Sequence, residues 1–408
     1  MDICPKDKCT GCFACVNACN HGCISIKEDE MGCVRPVVDE NNCVNCGLCK
    51  SSCPNNIDLK FSYPSKCYAS WIEDKEKRKI CASGGIGTCM SEYVIKQGGV
   101  VFGSRYNSEM TPIMTYTESL AELEHFKGSR YVQSLVGKDT YKKVRTFLRH
   151  GRLVLFVGTP CQVAGLKTFL RKVYDNLITV DLICHGVCPT RYLKEDVAYL
   201  AEKYKLKDIA DIRFRGNDGN NFRLTLWNKD RRKLFPRDNY REKLLRIDET
   251  QQYYIKGFLL GVSMRENCFS CNYAKPERVS DITIGDFIGL GKTEPFPYPT
   301  YNVSSVIINT FKGQEFYNKV AESTKMLVNV ERDYNERLMY KPSLIHPFQR
   351  HPLNGKFVKL CKKHGYLYAI HKTLRGTLMK EQIKNYFNYW TYSYRVPRKI
   401  LKVLSGKK

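Results

Sequence analysis

The 408-residue sequence predicts a small cysteine-rich α+β module, then an α/β core with a mixed sheet, and last a basic helical C-terminal extension. Three observations support this prediction. Eight cysteines stand in two matched runs within the first 53 residues. Short apolar segments then alternate with helical segments, which is typical of a parallel α/β core. The last 68 residues hold sixteen Lys or Arg and a single acid, Glu381.

The two cysteine runs share one spacing. Each has three cysteines at two-residue intervals and a fourth after a three-residue gap, as in bacterial-type ferredoxins that bind two [4Fe–4S] clusters. In that arrangement the fourth cysteine of each run binds the other cluster. Residues 1–60 are therefore predicted to be an α+β ferredoxin-like bicluster module. The predicted ligands are Cys9, Cys12, Cys15 and Cys53 for one cluster, and Cys43, Cys46, Cys49 and Cys19 for the other.

Zinc binding and disulfides are the alternatives for these cysteines. Zinc ribbons use C-x2-C pairs that are separated by about a dozen residues or more, which is not the spacing here. A disulfide framework requires a secretory context, and the N-terminus lacks an apolar signal segment. Asn20 follows Cys19 where ferredoxins usually have proline. This residue shapes the turn and supplies no ligand, so the ferredoxin interpretation stands.

Length and composition exclude other classes of protein. A chain of 408 residues suggests two or three domains, and 43% apolar residues are ample for packed cores. No stretch approaches the roughly 18 apolar residues that a membrane-spanning helix needs. Twenty cysteines without a signal segment indicate a reducing compartment, so we expect a cytoplasmic protein.

The core elements follow a linker at 61–65. Predicted strands lie at 67–72, 99–103, 153–157 and 177–183, and predicted helices lie at 89–96 and 162–172. Shorter strands at 211–215, 222–227, 281–285 and 305–309 look antiparallel, which makes the predicted sheet mixed. The predicted regions after the ferredoxin module are 66–150, 151–340 and the extension 341–408.

Four further cysteines stand beside turns in the core: Cys161, Cys184, Cys268 and Cys271. The first two follow predicted strands, and the carboxyl ends of parallel strands converge on one crevice. The C-x2-C pair at 268–271 would complete four thiolates there. Four sulfur ligands suit iron–sulfur or zinc, and we predict a third [4Fe–4S] cluster. Alternatively, the pair binds a structural metal and the other two are buried thiols; Cys188 could also replace Cys184.

A glycine-rich segment at 83–88 precedes a predicted helix. Its backbone amides and the helix N-terminus could hold a phosphate group, although a plain turn would explain the glycines equally well. It has neither Walker A nor G-x-G-x-x-G spacing, so neither ATP nor a Rossmann NAD site is predicted. Lys127, Ser129 and Tyr131 add a cation and hydroxyls that suit an anionic cofactor, with a solvated turn as the alternative.

Six motifs occur in a fixed order: SGGIGT at 83–88, KGSRYVQS at 127–134, GTPCQ at 158–162, DLICHGV at 181–187, CFSC at 268–271 and SDITIGDFIG at 280–289. The series resembles the beta subunit of coenzyme F420-reducing hydrogenases and dehydrogenases, with a two-cluster ferredoxin fused in front. Members include F420 dehydrogenase subunits, a plant chlorophyll-pathway reductase and bacterial proteins encoded near surface-polysaccharide genes. The chain departs from the family pattern at 214–219 and at Cys188, which leaves the electron acceptor open.

The resemblance implies FAD and a [4Fe–4S] cluster in the core. It implies that the cluster ligands are the four core cysteines named above. The flavin contacts that it implies are Ser83, Gly84, Gly85, Thr88, Lys127, Ser129 and Tyr131.

Together these features predict an iron–sulfur flavoprotein oxidoreductase. Clusters exchange single electrons, whereas a flavin collects two and exchanges a hydride with an organic acceptor. That acceptor would be F420-like or a biosynthetic substrate, such as one from a polysaccharide pathway. His185 and Asp286 are candidate proton donors. The alternatives are an electron-transfer subunit that serves a redox partner or a soluble carrier, and a degenerate core without flavin.

The extension at 341–408 carries a net charge of +15, whereas residues 1–60 carry −2. It mixes basic residues with apolar and aromatic ones at 357–360, 386–390 and 400–404. Such a mixture suits an amphipathic helix on an anionic membrane surface, which would place the protein at the inner membrane face. Docking to an acidic protein and a solvated helical face are alternatives. No nucleic-acid-binding signature is found, so no specific nucleic acid is predicted.

Overall fold

A computed structural model describes residues 1–216, 222–236, 252–340 and 342–394, with side chains as far as Phe387. The strands are β1 (Ile24–Glu28), β2 (Val34–Val38), β3 (Lys66–Ile72), β4 (Val100–Tyr106), β5 (Pro112–Thr117), β6 (Leu135–Val136), β7 (Val154–Gly158), β8 (Leu177–Leu182), β9 (Asp211–Arg213), β10 (Thr225–Trp227), β11 (Lys233–Phe235), β12 (Ile282–Asp286), β13 (Ser304–Ile308) and β14 (Leu327–Arg332). The α-helices are α1 (Ala14–Ala18), α2 (Leu48–Ser51), α3 (Lys75–Lys79), α4 (Ile86–Lys96), α5 (Thr140–Arg149), α6 (Pro160–Leu170), α7 (Thr190–Tyr204), α8 (Tyr253–Leu259), α9 (Phe311–Ser323), α10 (Tyr334–Leu338), α11 (Asn354–His364) and α12 (Tyr366–Tyr394).

The core is built on one nine-stranded sheet with the order β14-β3-β13-β12-β8-β7-β4-β5-β6. Its centre is parallel, because β12, β8, β7 and β4 pair in the same direction. The flanking pairs β12–β13, β13–β3, β3–β14 and β4–β5 are antiparallel. The predicted mixed sheet is confirmed, and strands from both predicted core regions, 66–150 and 151–340, lie in it.

The central strands are apolar throughout because both faces of the sheet are covered. On β7, Val154 and Phe156 face a cluster that includes α5, α6 and the N-terminal module. Leu155, between them, faces the opposite cluster, which is formed with α4 and α9. This alternation follows from the two-residue period of a strand. It leaves the carboxyl ends of β7, β8 and β12 as the edge where loops can build a site.

Several element boundaries differ from the sequence predictions. Helix α4 begins at Ile86, not Cys89, so the last glycine of the glycine-rich segment, Gly87, belongs to its first turn. Helix α6 begins at Pro160, because Thr159 and Gln162 form a capping box. The strand predicted at 281–285 is antiparallel to β13 as expected, but it is also parallel to β8.

The N-terminal module packs directly against α6. A Cβ atom on Gly165 of that helix would lie 2.9 Å from Sγ of Cys12, so only glycine allows the helix to come this close. Asn17, at the end of α1, joins the module to the core. Its Nδ2 donates to the carbonyl oxygens of Phe13 (3.0 Å) and Gly137 (2.9 Å), and its Oδ1 accepts from the backbone N–H of Tyr141 (2.9 Å).

Replacing Asn17 with alanine is expected to lower the thermal unfolding midpoint. The change leaves the buried N–H of Tyr141 and the carbonyl of Gly137 without this partner, at a cost of about 1–3 kcal/mol. Asn42→Ala in the same module is the control, since Asn42 is exposed and its Nδ2 donates to Asp39 (2.8 Å). Equal midpoints for the two variants under anaerobic conditions would show that Asn17 does not stabilise the docking.

The linker at 61–65 also pairs with the core, because Ser62 and Arg278 exchange backbone hydrogen bonds of 2.9 and 2.8 Å. Arg278 is itself buried and forms an ion pair with Asp181 (3.1 Å), which is fully buried at the end of β8. The connection is therefore held against the sheet at a defined point.

The extension is helical, as predicted, but its first half is part of the core. Residues of α11 and α12 are buried against α7 and α8, and they include Phe357, Cys361, Tyr366, Ile370, Leu374 and Leu378. This corrects the interpretation of 357–360, because Phe357 packs inside the protein and is not free to face a membrane. The segments at 395–408, including 400–404, lie outside the described residues. None of the described helices is long and apolar enough to cross a bilayer.

Candidate functional site

Two groups of cysteines lie within the N-terminal module, and each mixes the two sequence runs. Cys43, Cys46, Cys49 and Cys19 line one small cavity, which we call the distal set. Cys9, Cys12, Cys15 and Cys53 form the second group, the proximal set. Cys4 links two of its members, because the Cys4 thiol is hydrogen-bonded to both Cys9 and Cys53. The arrangement agrees with the predicted exchange of the fourth cysteines.

The environment of these thiols suits metal binding. Burial raises the pKa of Cys12 to about 12, so a bound metal would be needed to hold it as a thiolate at neutral pH. Burial also acts to raise the pKa of Cys19, but the Cys23 side chain and the backbone N–H groups of 21–23 outweigh it and lower that pKa. A sulfur that accepts several N–H groups is well prepared to remain a thiolate ligand.

The four core cysteines line a single cavity of about 60 Å³, and we call them the core set: Cys161, Cys184, Cys268 and Cys271. Cys161 follows β7, Cys184 follows β8, and the other two lie in and just after the turn Glu266–Ser270. Burial raises the pKa of Cys161 to about 11 and that of Cys184 to about 12. The strand ends therefore bring the two remote cysteines to the C-x2-C pair, as the topology argument requires.

Cys188, the alternative to Cys184, does not line this cavity. It is fully buried, and its Sγ lies 3.4 Å from the Ser263 hydroxyl. Among the described residues, no three His, Cys, Asp or Glu side chains are placed to bind one metal ion together. Four thiols around a cavity, and no converging mixed donors, suit an iron–sulfur cluster better than a single zinc ion.

A second cavity, of about 310 Å³, opens at the same edge of the sheet. Six of the seven predicted flavin contacts line it: Ser83, Gly85, Thr88, Lys127, Ser129 and Tyr131. The N-terminus of α4 also faces it through Gly85, Gly87 and Thr88, which supplies unpaired backbone N–H groups and a positive dipole end.

Gly84 is the exception among the predicted flavin contacts. It does not line the cavity, and its N–H donates to the Ser304 hydroxyl at 2.9 Å. A Cβ atom at this position would lie 2.2 Å from the carbonyl oxygen of Ser70. Glycine is therefore required here because the segment passes directly over the sheet, and the predicted cofactor contact is replaced by this packing role.

The cations of the second cavity are partly engaged by the protein. Lys127 forms an ion pair with Glu124 (2.9 Å). Arg130 donates from one terminal nitrogen to the carbonyl of His125 (2.6 Å), and its guanidinium lies 4.7 Å from the ring centre of Tyr106. The Nε atom of Arg130 is buried and has no hydrogen-bond partner among the described residues. Arg130 is therefore a further candidate contact for an anionic cofactor.

The two candidate proton donors lie in different cavities. His185 lines the cavity of the core set and packs against Phe258 and Phe348, with ring centres 4.9 and 4.3 Å away. Asp286 lines the second cavity and forms two hydrogen bonds of 2.6 and 2.7 Å with Arg215.

Burial opposes ionisation of Asp286, but the Arg215 guanidinium outweighs it and lowers the pKa of that carboxyl. Asp286 is held as a carboxylate, which argues against a proton-donor role and favours a role in orienting Arg215. Proton donation by His185 stays a prediction.

The two cavities are adjacent. Ser134, Thr159 and Gln162 line both of them. The Thr159 hydroxyl lies 3.2 Å from Sγ of Cys161, and the Gln162 side chain donates to the Ser134 carbonyl at 3.1 Å. On the opposite side, Thr10 and Gly11 of the N-terminal module also line the cavity of the core set. The core set therefore lies between the proximal set and the second cavity.

Sequence reasoning missed several residues of this region. Ser343 and Phe348 close the cavity of the core set from the C-terminal side. Cys4 and Cys23 lie next to ligand thiols, with 3.4 Å between Sγ of Cys23 and Sγ of Cys19. Their only signal was the excess of twenty cysteines over twelve assigned ligands. Arg265 and Gln133, between the N-terminal module and the core set, had none.

Known proteins and protein families resemble this chain. A chain of the F420-reducing [NiFe] hydrogenase complex from Methanosarcina barkeri is similar in structure, with 16% identity and a TM-score of 0.43, over 78% of this chain and 95% of that one. A search of curated proteins returned no match. Residues 8–57 match a model of the 4Fe-4S dicluster domain. Residues 151–333 match the model of the C terminus of the coenzyme F420 hydrogenase/dehydrogenase beta subunit. The chain belongs to the coenzyme F420 hydrogenase/dehydrogenase beta subunit family and carries an N-terminal [4Fe–4S] ferredoxin domain.

Proposed function

We propose that this protein is an iron–sulfur flavoprotein oxidoreductase that transfers electrons between a one-electron carrier and an organic hydride acceptor. The proximal, distal and core sets would each hold a [4Fe–4S] cluster, and the second cavity would hold FAD. When bound, the clusters supply single-electron transfer and the flavin couples it to two-electron hydride chemistry.

The observation that carries this proposal is the uninterrupted sequence of sites. Cys12 of the proximal set touches α6, the helix that begins beside Cys161 of the core set. Cys161 in turn contacts Thr159, which belongs to the wall of the second cavity. Each site therefore shares protein atoms with the next. A set of unrelated structural metal sites would not require this order.

The surface of the distal set is the proposed entry point for electrons. Cys46 is exposed, and the neighbouring Val44 exposes 59% of its surface. The proximal and core sets are more enclosed, and Phe348 covers the core cavity. A redox partner protein or a soluble carrier would therefore approach the distal set, while water is kept from the inner sites.

In the second cavity, the chain supplies groups for an anionic, planar cofactor. The N-terminus of α4 and Arg130 would bind phosphate oxygens. Arg215, held by Asp286, contributes a fixed cation on the opposite strand ends. The remaining volume beside these groups would admit the organic acceptor, for which an F420-like deazaflavin and a biosynthetic substrate are the candidates.

Anaerobic purification followed by iron analysis and flavin extraction tests the proposal. We expect about twelve irons and one FAD for each chain, because three clusters hold four irons each. Reduction of the bound flavin by a one-electron donor, followed by reduction of added F420, would identify the acceptor class. Twelve irons and a reducible flavin without acceptor turnover would favour an electron-transfer subunit that serves a partner. Eight irons and no flavin would exclude both the core cluster and the hydride reaction.

A further inference from the structure

Arg265 is a buried cation at the junction of the N-terminal module and the core. Only 1% of its surface is exposed. Its Nη2 donates to the carbonyl of Cys9 at 3.1 Å, and its Nε donates to Asn267 Oδ1 at 3.1 Å. A further nitrogen is hydrogen-bonded to the side-chain oxygen of Gln133. The guanidinium therefore links a ligand of the proximal set with the residue that precedes Cys268 of the core set.

The hydrogen-bond acceptors around Arg265 are neutral. They are the backbone carbonyls of Cys9 and Val34 and the side-chain amides of Gln133 and Asn267. No carboxylate in the described part of the chain forms an ion pair with it. An isolated buried charge costs several kcal/mol unless an opposite charge compensates it. Hydrogen bonds to amides stabilise the guanidinium but leave its positive charge unbalanced.

The compensating charge comes from the two cysteine sets that flank it. Arg265 favours the thiolate forms of Cys9, Cys161 and Cys268. In the distal set the local influences differ, since burial, nearby backbone groups and other cysteines act on Cys19 and Cys49. Four thiolates around one cubane carry net negative charge, and reduction adds one more. A fixed cation nearby stabilises the reduced form and raises the potential.

The chain makes room for this charge. Gly11, in the first cysteine run, has a φ of +66°. A Cβ atom there would lie 2.4 Å from Nε2 of Gln133 and 3.4 Å from both terminal nitrogens of Arg265. The glycine between Cys9 and Cys12 thus lets the guanidinium and its amide partner reach the proximal ligands.

We propose that Arg265 is a positioning residue whose charge raises the reduction potentials of the proximal and core clusters together, so that an electron entering at the distal cluster is drawn inward. The inference rests on the proposed function, because it requires clusters at these sets. The step it favours is a one-electron transfer between clusters, in which no bond is formed or broken.

Redox titration of the anaerobic holoprotein, followed by electron paramagnetic resonance, tests this assignment. In Arg265→Gln, the midpoint potentials of the proximal and core clusters should fall while that of the distal cluster stays unchanged. Arg265→Lys keeps the charge and should keep both potentials near those of the unmodified protein. The matched control is Arg191→Gln, because Arg191 lies near the carboxylates of Glu28 (3.7 Å) and Glu195 (3.6 Å) and should leave all potentials in place.

Unchanged potentials in Arg265→Gln, or an equal shift of the distal cluster, would overturn the inference. If Arg265→Gln does not retain its clusters, Gln133→Glu replaces it, because a carboxylate there would neutralise the guanidinium while keeping their hydrogen bond. The same two potentials should then fall, and no change in them would equally overturn the inference. Absence of clusters in the unmodified protein would instead contradict the proposed function itself.

Discussion

Replacing Cys161 with serine is expected to slow the reduction of the bound flavin by roughly a hundredfold or more, equivalent to at least about 2.7 kcal/mol of activation free energy. The hydroxyl is a poor ligand for iron, so the core cluster would be lost and the gap between Cys12 and the second cavity would have no carrier. The proximal and distal clusters and the flavin should remain. The measurement is the rate of flavin reduction by a one-electron donor under anaerobic conditions, together with iron and flavin content.

Cys188→Ser is the matched control for that experiment. Cys188 is as buried as the core set and follows the same strand as Cys184, but it contacts Ser263 and lies outside the cavity. Its substitution should leave iron content and flavin reduction near the levels of the unmodified protein. Loss of the core cluster in Cys188→Ser but not in Cys184→Ser would transfer the ligand role to Cys188. Full iron content and fast flavin reduction in Cys161→Ser would contradict the core cluster altogether.

The ligand sets were predictable because their members are tied by chain spacing. Three cysteines at two-residue intervals can reach one cluster without any knowledge of the fold. Cys161 and Cys184 required one further step, the convergence of parallel strand ends, and the structure places both at one cavity. The central strands were equally accessible, since a strand covered on both faces must be a continuous apolar run.

Boundaries and remote partners were harder to predict, for different physical reasons. The capping box that starts α6 at Pro160 is visible in the sequence, and the prediction of a later start overlooked it. The parallel pairing of β12 with β8 joins segments about a hundred residues apart, which no local pattern encodes. Arg265 and Phe348 reach the core set through tertiary packing alone. Their residue types give no sign of a site.

The extension shows a limit of amphipathic patterns. Basic residues alternating with aromatic ones predict a helix with an apolar face, but not the surface that this face contacts. In the structure, Phe357 and Tyr366 pack against Tyr192 of α7, and the lysines of α11 are left outside. Membrane binding can therefore involve only the residues beyond Leu378, and it stays a prediction.

Replacing Gly87 with aspartate is expected to weaken FAD binding about a thousandfold. Gly87 lies in the first turn of α4 and lines the second cavity. A Cβ atom at Gly87 has its nearest neighbour, Cδ1 of Ile284, at 3.5 Å, so a side chain fits without displacing the backbone. Two unit charges about 4 Å apart repel by about 4 kcal/mol at an effective dielectric constant of 20, which corresponds to that loss of affinity.

Gly87→Asn separates this charge effect from shape, because asparagine has nearly the same size as aspartate and no charge. It should weaken FAD binding far less. Without flavin, the aspartate variant should be at least as stable as the asparagine one, since an acid in the first turn of a helix is favourable by about 0.3–1 kcal/mol. A stable aspartate variant with poor flavin binding would thus identify this helix N-terminus as the phosphate contact. Equal flavin affinity in the two variants would place the phosphates elsewhere in the cavity, with Arg130 the next residue to substitute.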